Sequence, residues 1–174
     1  MFIPGFLITI LTFPGVIVHE FAHLFFCRLR KVAVFEVCYI RIGNPAGYVI
    51  HENTSNFYST FLISMGPFFV NTILCLLICI PAYMPITFFG LAHPLSYFLM
   101  WLGVSIGMHA VPSTQDAKNI FEQAKIKVKD KNVLAIVSFP LVGLVYIFNI
   151  LRFFWADLAY GVAIGVGVPG LIFN

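Results

Sequence analysis

Five long apolar stretches alternate with short polar intervals along the chain, at residues 2–27, 59–84, 88–111, 133–151 and 156–173. About 20 apolar residues in a helix cross the hydrocarbon of a bilayer. The first four stretches therefore predict transmembrane helices. The fifth, shorter and rich in glycine, predicts a span or a re-entrant segment. Pro14-Gly15 lies inside the first stretch and should bend it, and a very short turn around Pro85 separates the second from the third. In the interval 31–56, VAVFEVCYIRI and YVIHE flank GNPAG; two strand-like runs around a Gly/Pro/Asn turn predict a β-hairpin. The interval 115–131 is polar and Lys-rich and predicts a short helix on an anionic lipid surface. The pattern thus predicts an all-α polytopic membrane protein with four to five transmembrane helices and a small β-hairpin between the first and second. It forms one domain over residues 1–174, with a core at roughly 2–120 and C-terminal helices at 133–173.

Composition agrees with that pattern. Hydrophobic residues make up 60% of the chain and charged residues 10%, against roughly 25% charged in soluble domains; mean hydropathy is +0.96. The lipid bilayer is the expected surrounding. A net charge of +3 is too small to argue for a nucleic-acid partner, but its distribution is informative. Arg28, Arg30, Lys31 and Arg41 follow the first stretch, and Lys118, Lys125, Lys127, Lys129 and Lys131 follow the third. Only Arg152 falls outside these two loops. Basic loops face the cytoplasm, so the expectation is a multi-pass cell-membrane protein with its N-terminus outside. The first stretch lacks a basic start and a small-x-small cleavage site, and is expected to be a retained span. Cys27, Cys38, Cys75 and Cys79 form no CxxC and no disulfide framework. Glycines four apart, Gly103 with Gly107 and Gly161 with Gly165, are expected to serve close helix packing.

One apolar run carries chemistry: VIVHEFAHLF, residues 16–25. Ionisable groups inside a membrane span are costly and usually functional. His19 and His23, four apart, share a helix face and present two imidazoles to one point, as Zn²⁺ ligands do. Glu20 lies beside them, placed to act as a base on a metal-activated water. A catalytic zinc takes three protein ligands. His23 sits five residues before Arg28, about 7 Å below the cytoplasmic boundary at helical rise. The third stretch ends at that same face with GMHAVPSTQDAKN. Asp116 there would complete a two-histidine, one-carboxylate set. His109 is the rival, since Pro112 breaks the helix between them. Asp116 also fits a helix start. His51 and His93 are expected to be structural, and Asn71 to make a packing hydrogen bond between core helices.

The chain resembles the site-2 protease class of intramembrane zinc metalloproteases, the M50 peptidases, as a divergent, small, bacterial-type member. HEFAH lies in an early span. SMGPFFVN, residues 64–71, is similar to the family's Gly-Pro-x-x-x-Asn-type signature. HAVPSTQDA, residues 109–117, resembles its Asn-x-x-Pro…Asp-Gly segment, and a β-rich loop lies between the first and second core helices. The resemblance covers roughly residues 10–120. It departs from the pattern at His109, where the family has Asn, and at Ala117, where it has Gly, and the third segment is about one residue shorter. It implies Zn²⁺ on His19, His23 and Asp116, with Glu20 as base. It maps His109 to a residue that steadies the reacting carbonyl or its oxyanion. The implied partner is a membrane protein or peptide, cut near the cytoplasmic face. Two other classes compete: a catalytically inactive scaffold retaining the fold, and a metal-handling protein.

Overall fold

The computed structural model describes residues 5–87, 89–90 and 93–173. Parts of the expected first and third spans (residues 2–4, 88 and 91–92) lie outside them. Two helices, α1 (Gly5–Leu11) and α2 (Phe13–Leu29), replace the single bent first span. The break falls at Thr12, just ahead of Pro14. The Thr12 hydroxyl donates to the Ile8 carbonyl at 2.8 Å. Pro14, which has no N–H to give, occupies the first turn of α2, where none is needed.

The hairpin is present as β1 (Val34–Cys38) and β2 (Tyr48–His51). They pair antiparallel from Val34 opposite His51 to Cys38 opposite Tyr48, with an irregularity between Val34 and Glu36. The Tyr48 hydroxyl donates to Glu36, which pushes the phenol's pKa up, and the Arg41 guanidinium lies 4.8 Å over the Tyr48 ring. The hairpin folds back along α2. Its connecting loop shares an apolar groove with Thr9 and Ile10 of α1, and Phe35, Ile42 and Ile50 point outward.

Helix α3 (Phe57–Thr87) is 31 residues long and runs through Pro67, Pro81 and Pro85. The expected turn around Pro85 is therefore absent. Each proline removes one intrahelical bond, and the helix continues only two residues beyond Pro85, to Thr87. Helix α4 (Pro94–Met108) is shorter than the stretch 88–111 implied. His93 caps its start, its ring accepting from the Leu95 amide at 3.2 Å. Among the described residues, three helical segments are long and apolar enough to cross a membrane: Phe57–Thr87, Val133–Phe154 and Ala156–Phe173. The break at Thr12 and the shortness of α4 leave the other two expected spans below that length.

Helix α5 (Thr114–Lys127) is the expected surface helix, with Ala117, Ile120 and Ala124 turned inward. Helix α6 (Val133–Leu151) then doubles back along it, burying Ala135, Val142 and Val145 with Phe57 and Met65 of α3. At its end Asn149 donates to the Pro112 carbonyl at 3.1 Å. The chain turns at Arg152–Phe154 and continues as α7 (Ala156–Val162), a π-helical turn and α8 (Val168–Phe173). This last segment runs antiparallel to α4. Gly161 abuts Met108 and Val104, and Gly165 abuts Val104 and Cys79.

Candidate metal centre

The site forms where α2, α3 and the α4–α5 junction meet. Asn71, fully buried on α3, places its Nδ2 within 3.1–3.3 Å of the carbonyls of Gly15, Ile106 and His109. One amide thus ties α2 and α4 to α3, the packing role expected of it. Gly15 brings α2 against α4 so closely that a Cβ there would overlap the Ser105 carbonyl oxygen. At the start of α5, Ser113 is the N-cap and Asp116 the third helical residue of a capping box. The Ser113 amide and hydroxyl both donate to Asp116 Oδ2, at 2.9 and 2.6 Å.

These elements bring His19, His23 and Asp116 together, one ligand atom from each lying within 4.8 Å of the others. His19 Nδ1 is 2.6 Å from the His109 carbonyl, and His23 Nδ1 is 2.9 Å from the Ile63 carbonyl. A carbonyl only accepts, so each Nδ1 carries the proton and each Nε2 presents a bare lone pair. The two Nε2 atoms are 3.2 Å apart, and His23 Nε2 is 3.7 Å from Asp116 Oδ2. Three acceptors aimed at one point repel each other unless a cation lies between them. Zinc bonded at 2.0–2.1 Å in a tetrahedron holds its ligand atoms about 3.3 Å apart, close to the spacings seen. A shared proton would satisfy the two imidazoles but leave Asp116 beyond hydrogen-bond reach. The donor set therefore fits a divalent cation, with ligand imidazoles oriented through their other nitrogen as metal-bound histidines are.

Glu20 is buried beside the cluster, with no hydrogen bond or ion pair among the described residues. It faces a cavity of about 380 Å³ that also holds His19, His23 and Asp116. Gly47 of the hairpin roofs it: a Cβ there would lie 2.7 Å from Glu20 Cγ and 2.9 Å from the Tyr39 carbonyl oxygen. A smaller polar cavity of about 170 Å³ adjoins, sharing His51 and Asn119 in its wall and reaching the exposed Glu122.

His109 stands apart from the three-atom cluster, although it lines the same cavity. Its Nε2 is 2.9 Å from the Thr12 hydroxyl, which donates to Ile8. Both bonds are satisfied when His109 Nε2 is the donor, and a neutral ring then has no N–H left for an oxyanion. What His109 supplies is its carbonyl, which orients His19. Sequence reading missed three participants. Gly15 and Gly47 act by lacking a side chain at a close approach that only the fold defines. Arg152, placed outside both basic loops, enters the cavity from the end of α6 and donates to the Val111 carbonyl at 2.8 Å. The one available signal was a lone arginine in the apolar run ILRFFW.

No protein-family model, no curated protein and no solved structure matches this chain.

Proposed function

We propose that this chain is an intramembrane zinc metalloprotease of the site-2 protease class, hydrolysing peptide bonds of membrane-associated substrates near the cytoplasmic face. The observation that carries this reading is the convergence of two back-anchored imidazoles and a carboxylate beside Glu20, a buried carboxylate with no partner of its own. His19, His23 and Asp116 would hold Zn²⁺, which when bound supplies Lewis acidity towards water and the scissile carbonyl. A Glu20 carboxylate oxygen takes the proton of the attacking water and returns it to the leaving amine. Asn71 and the His109 carbonyl keep His19 in register. The adjoining polar cavity gives water a route from the face where Glu122 is exposed.

The cavity limits the form of the substrate. It is small, about 380 Å³, beside a helix that is at least about 10 Å across with its side chains. An intact transmembrane helix also hides its carbonyls in internal bonds. The substrate therefore enters as an opened segment or a chain end, and the free edges of the hairpin offer it strand pairing. The apolar outer faces of α3, α6 and the hairpin support a membrane-embedded domain, and the two basic loops support an orientation with the N-terminus outside and those loops inside.

Two observations weigh against the competing classes. A silent scaffold has no use for an unpaired buried carboxylate next to its metal. A metal-handling protein needs polar groups along a path, and α3, α4 and α6 carry no acidic residue. The test is metal analysis together with proteomics of membrane fragments, comparing wild type with Glu20→Gln. Zinc should be retained in the variant and the fragments lost. Protein that stays metal-free in excess zinc, or an unchanged fragment set, would sink the reading.

A further inference from the structure

The cavity contains a cation that the proposed hydrolysis does not use. Arg152 sits at the C-terminal end of α6 and lines the same space as Glu20 and His23. One guanidinium nitrogen donates to the Val111 carbonyl at 2.8 Å. Its Nε is buried and has no hydrogen-bond partner. Among the described residues no carboxylate comes within ion-pair distance of it. A guanidinium offers five N–H donors in a planar fork that matches a carboxylate. Asp157 and Asp116 act on it only from beyond ion-pair distance, so it is held part-buried without a direct counter-ion, which is unfavourable, and a single backbone carbonyl in the α4–α5 junction leaves most of the fork unspent. An anion arriving in the cavity would complete it. The same space is lined by His19, Glu20, His23 and Asp116, so the anion would be carried by the part of the substrate chain near the cut.

We propose that Arg152 is a specificity-determining residue that binds a carboxylate of the substrate, carried either by the chain's C-terminus or by an acidic side chain close to the cut. This rests on the protease reading for the identity of the ligand as a peptide. The Arg152 site itself is defined by the cavity and its unpaired donors. Charge-assisted hydrogen bonds distinguish a carboxylate from an amide by about ten- to a hundred-fold in affinity.

The experiment measures binding without turnover. Full-length protein carrying Glu20→Gln is purified in bicelles and titrated against fluorescein-labelled Leu-Ala-Leu-Ala-Leu-Ala, read by fluorescence anisotropy. One probe ends in a free carboxylate and one in an amide. A third ends in an amide but has Glu as its penultimate residue. The free carboxylate or the Glu probe should bind at least about ten-fold tighter than the plain amide, and which of the two does so names the source. Arg152→Met should bring the ratio to about one, and Arg152→Lys should keep part of it. Equal binding of all three probes overturns the proposal, as does a preference that survives in Arg152→Met. Circular dichroism and thermal unfolding check that each variant is folded. If Arg152→Met does not fold, the Arg152→Lys ratio decides: an undiminished preference counts against fork recognition and a reduced one supports it. A carboxylate preference in a protein that releases no membrane fragments would defeat the protease reading and leave the Arg152 site standing.

Discussion

Gly15 gives the most discriminating test of how the site is built. In an ordinary helix, replacing glycine with alanine stabilises by about 1 kcal/mol, so helix propensity alone predicts that Gly15→Ala tightens α2. The fold predicts the opposite. The new Cβ would overlap the Ser105 carbonyl oxygen, 2.8 Å from its carbon and 2.5 Å from His109 Cδ2, where ordinary contact begins at 3.4 Å. Ser105 is fixed in the backbone of α4, so the helices must separate by about 1 Å, a shift that a close-packed interior resists. Overpacking of this kind costs about 1–3 kcal/mol, which leaves a net destabilisation near 1 kcal/mol once the propensity gain is subtracted. The same displacement acts on the link from His19 Nδ1 to the His109 carbonyl, now 2.6 Å. An added ångström takes it past hydrogen-bond length and frees His19 to rotate. Loss of an outer-shell partner typically lowers metal affinity by about 10–100-fold. Thermal unfolding in detergent and zinc titration against a competing chelator measure the two effects. A Gly15→Ala protein that is more stable than wild type and holds zinc equally well would refute the claim that α2 and α4 meet here at backbone distance.

Two further outcomes follow from the same geometry on the zinc metalloprotease reading proposed above. Gly47→Ala forces the hairpin away from Glu20, because the Tyr39 carbonyl that it would meet at 2.9 Å is backbone and cannot yield like a side chain; cleavage should fall on the order of ten- to a hundred-fold at unchanged zinc content, and wild-type turnover would count against the roof. Stripping zinc should lower stability, since an ion present at a hundred times its dissociation constant contributes about 2.7 kcal/mol. That increment should vanish in His23→Ala, and a melting temperature indifferent to chelator would argue that nothing is bound between the imidazoles.

Much of this protein is legible along the chain because lipid and helix geometry are both periodic constraints. Apolar run length marks α3 and α6, the Gly/Pro/Asn turn marks the hairpin, and a four-residue interval puts His19 and His23 on one face whatever surrounds them. Asp116 was reachable by the same reasoning, since the polar end of an apolar stretch must lie at the depth of His23. The helix breaks were less legible. A bend at Thr12 instead of Pro14-Gly15, and the passage of α3 through Pro85, depend on whether neighbouring groups take up the freed carbonyls. What no local pattern could supply is contact between residues far apart in sequence. The doubling back of α6 along α5 carries Arg152 to Val111. The crossing of α2 over α4 makes Gly15 obligatory and turns the His109 carbonyl, not its ring, towards His19. The fold of the hairpin sets Gly47 over Glu20. Each of these is decided by packing across the whole domain, where the energy lies in distances that a linear sequence does not contain.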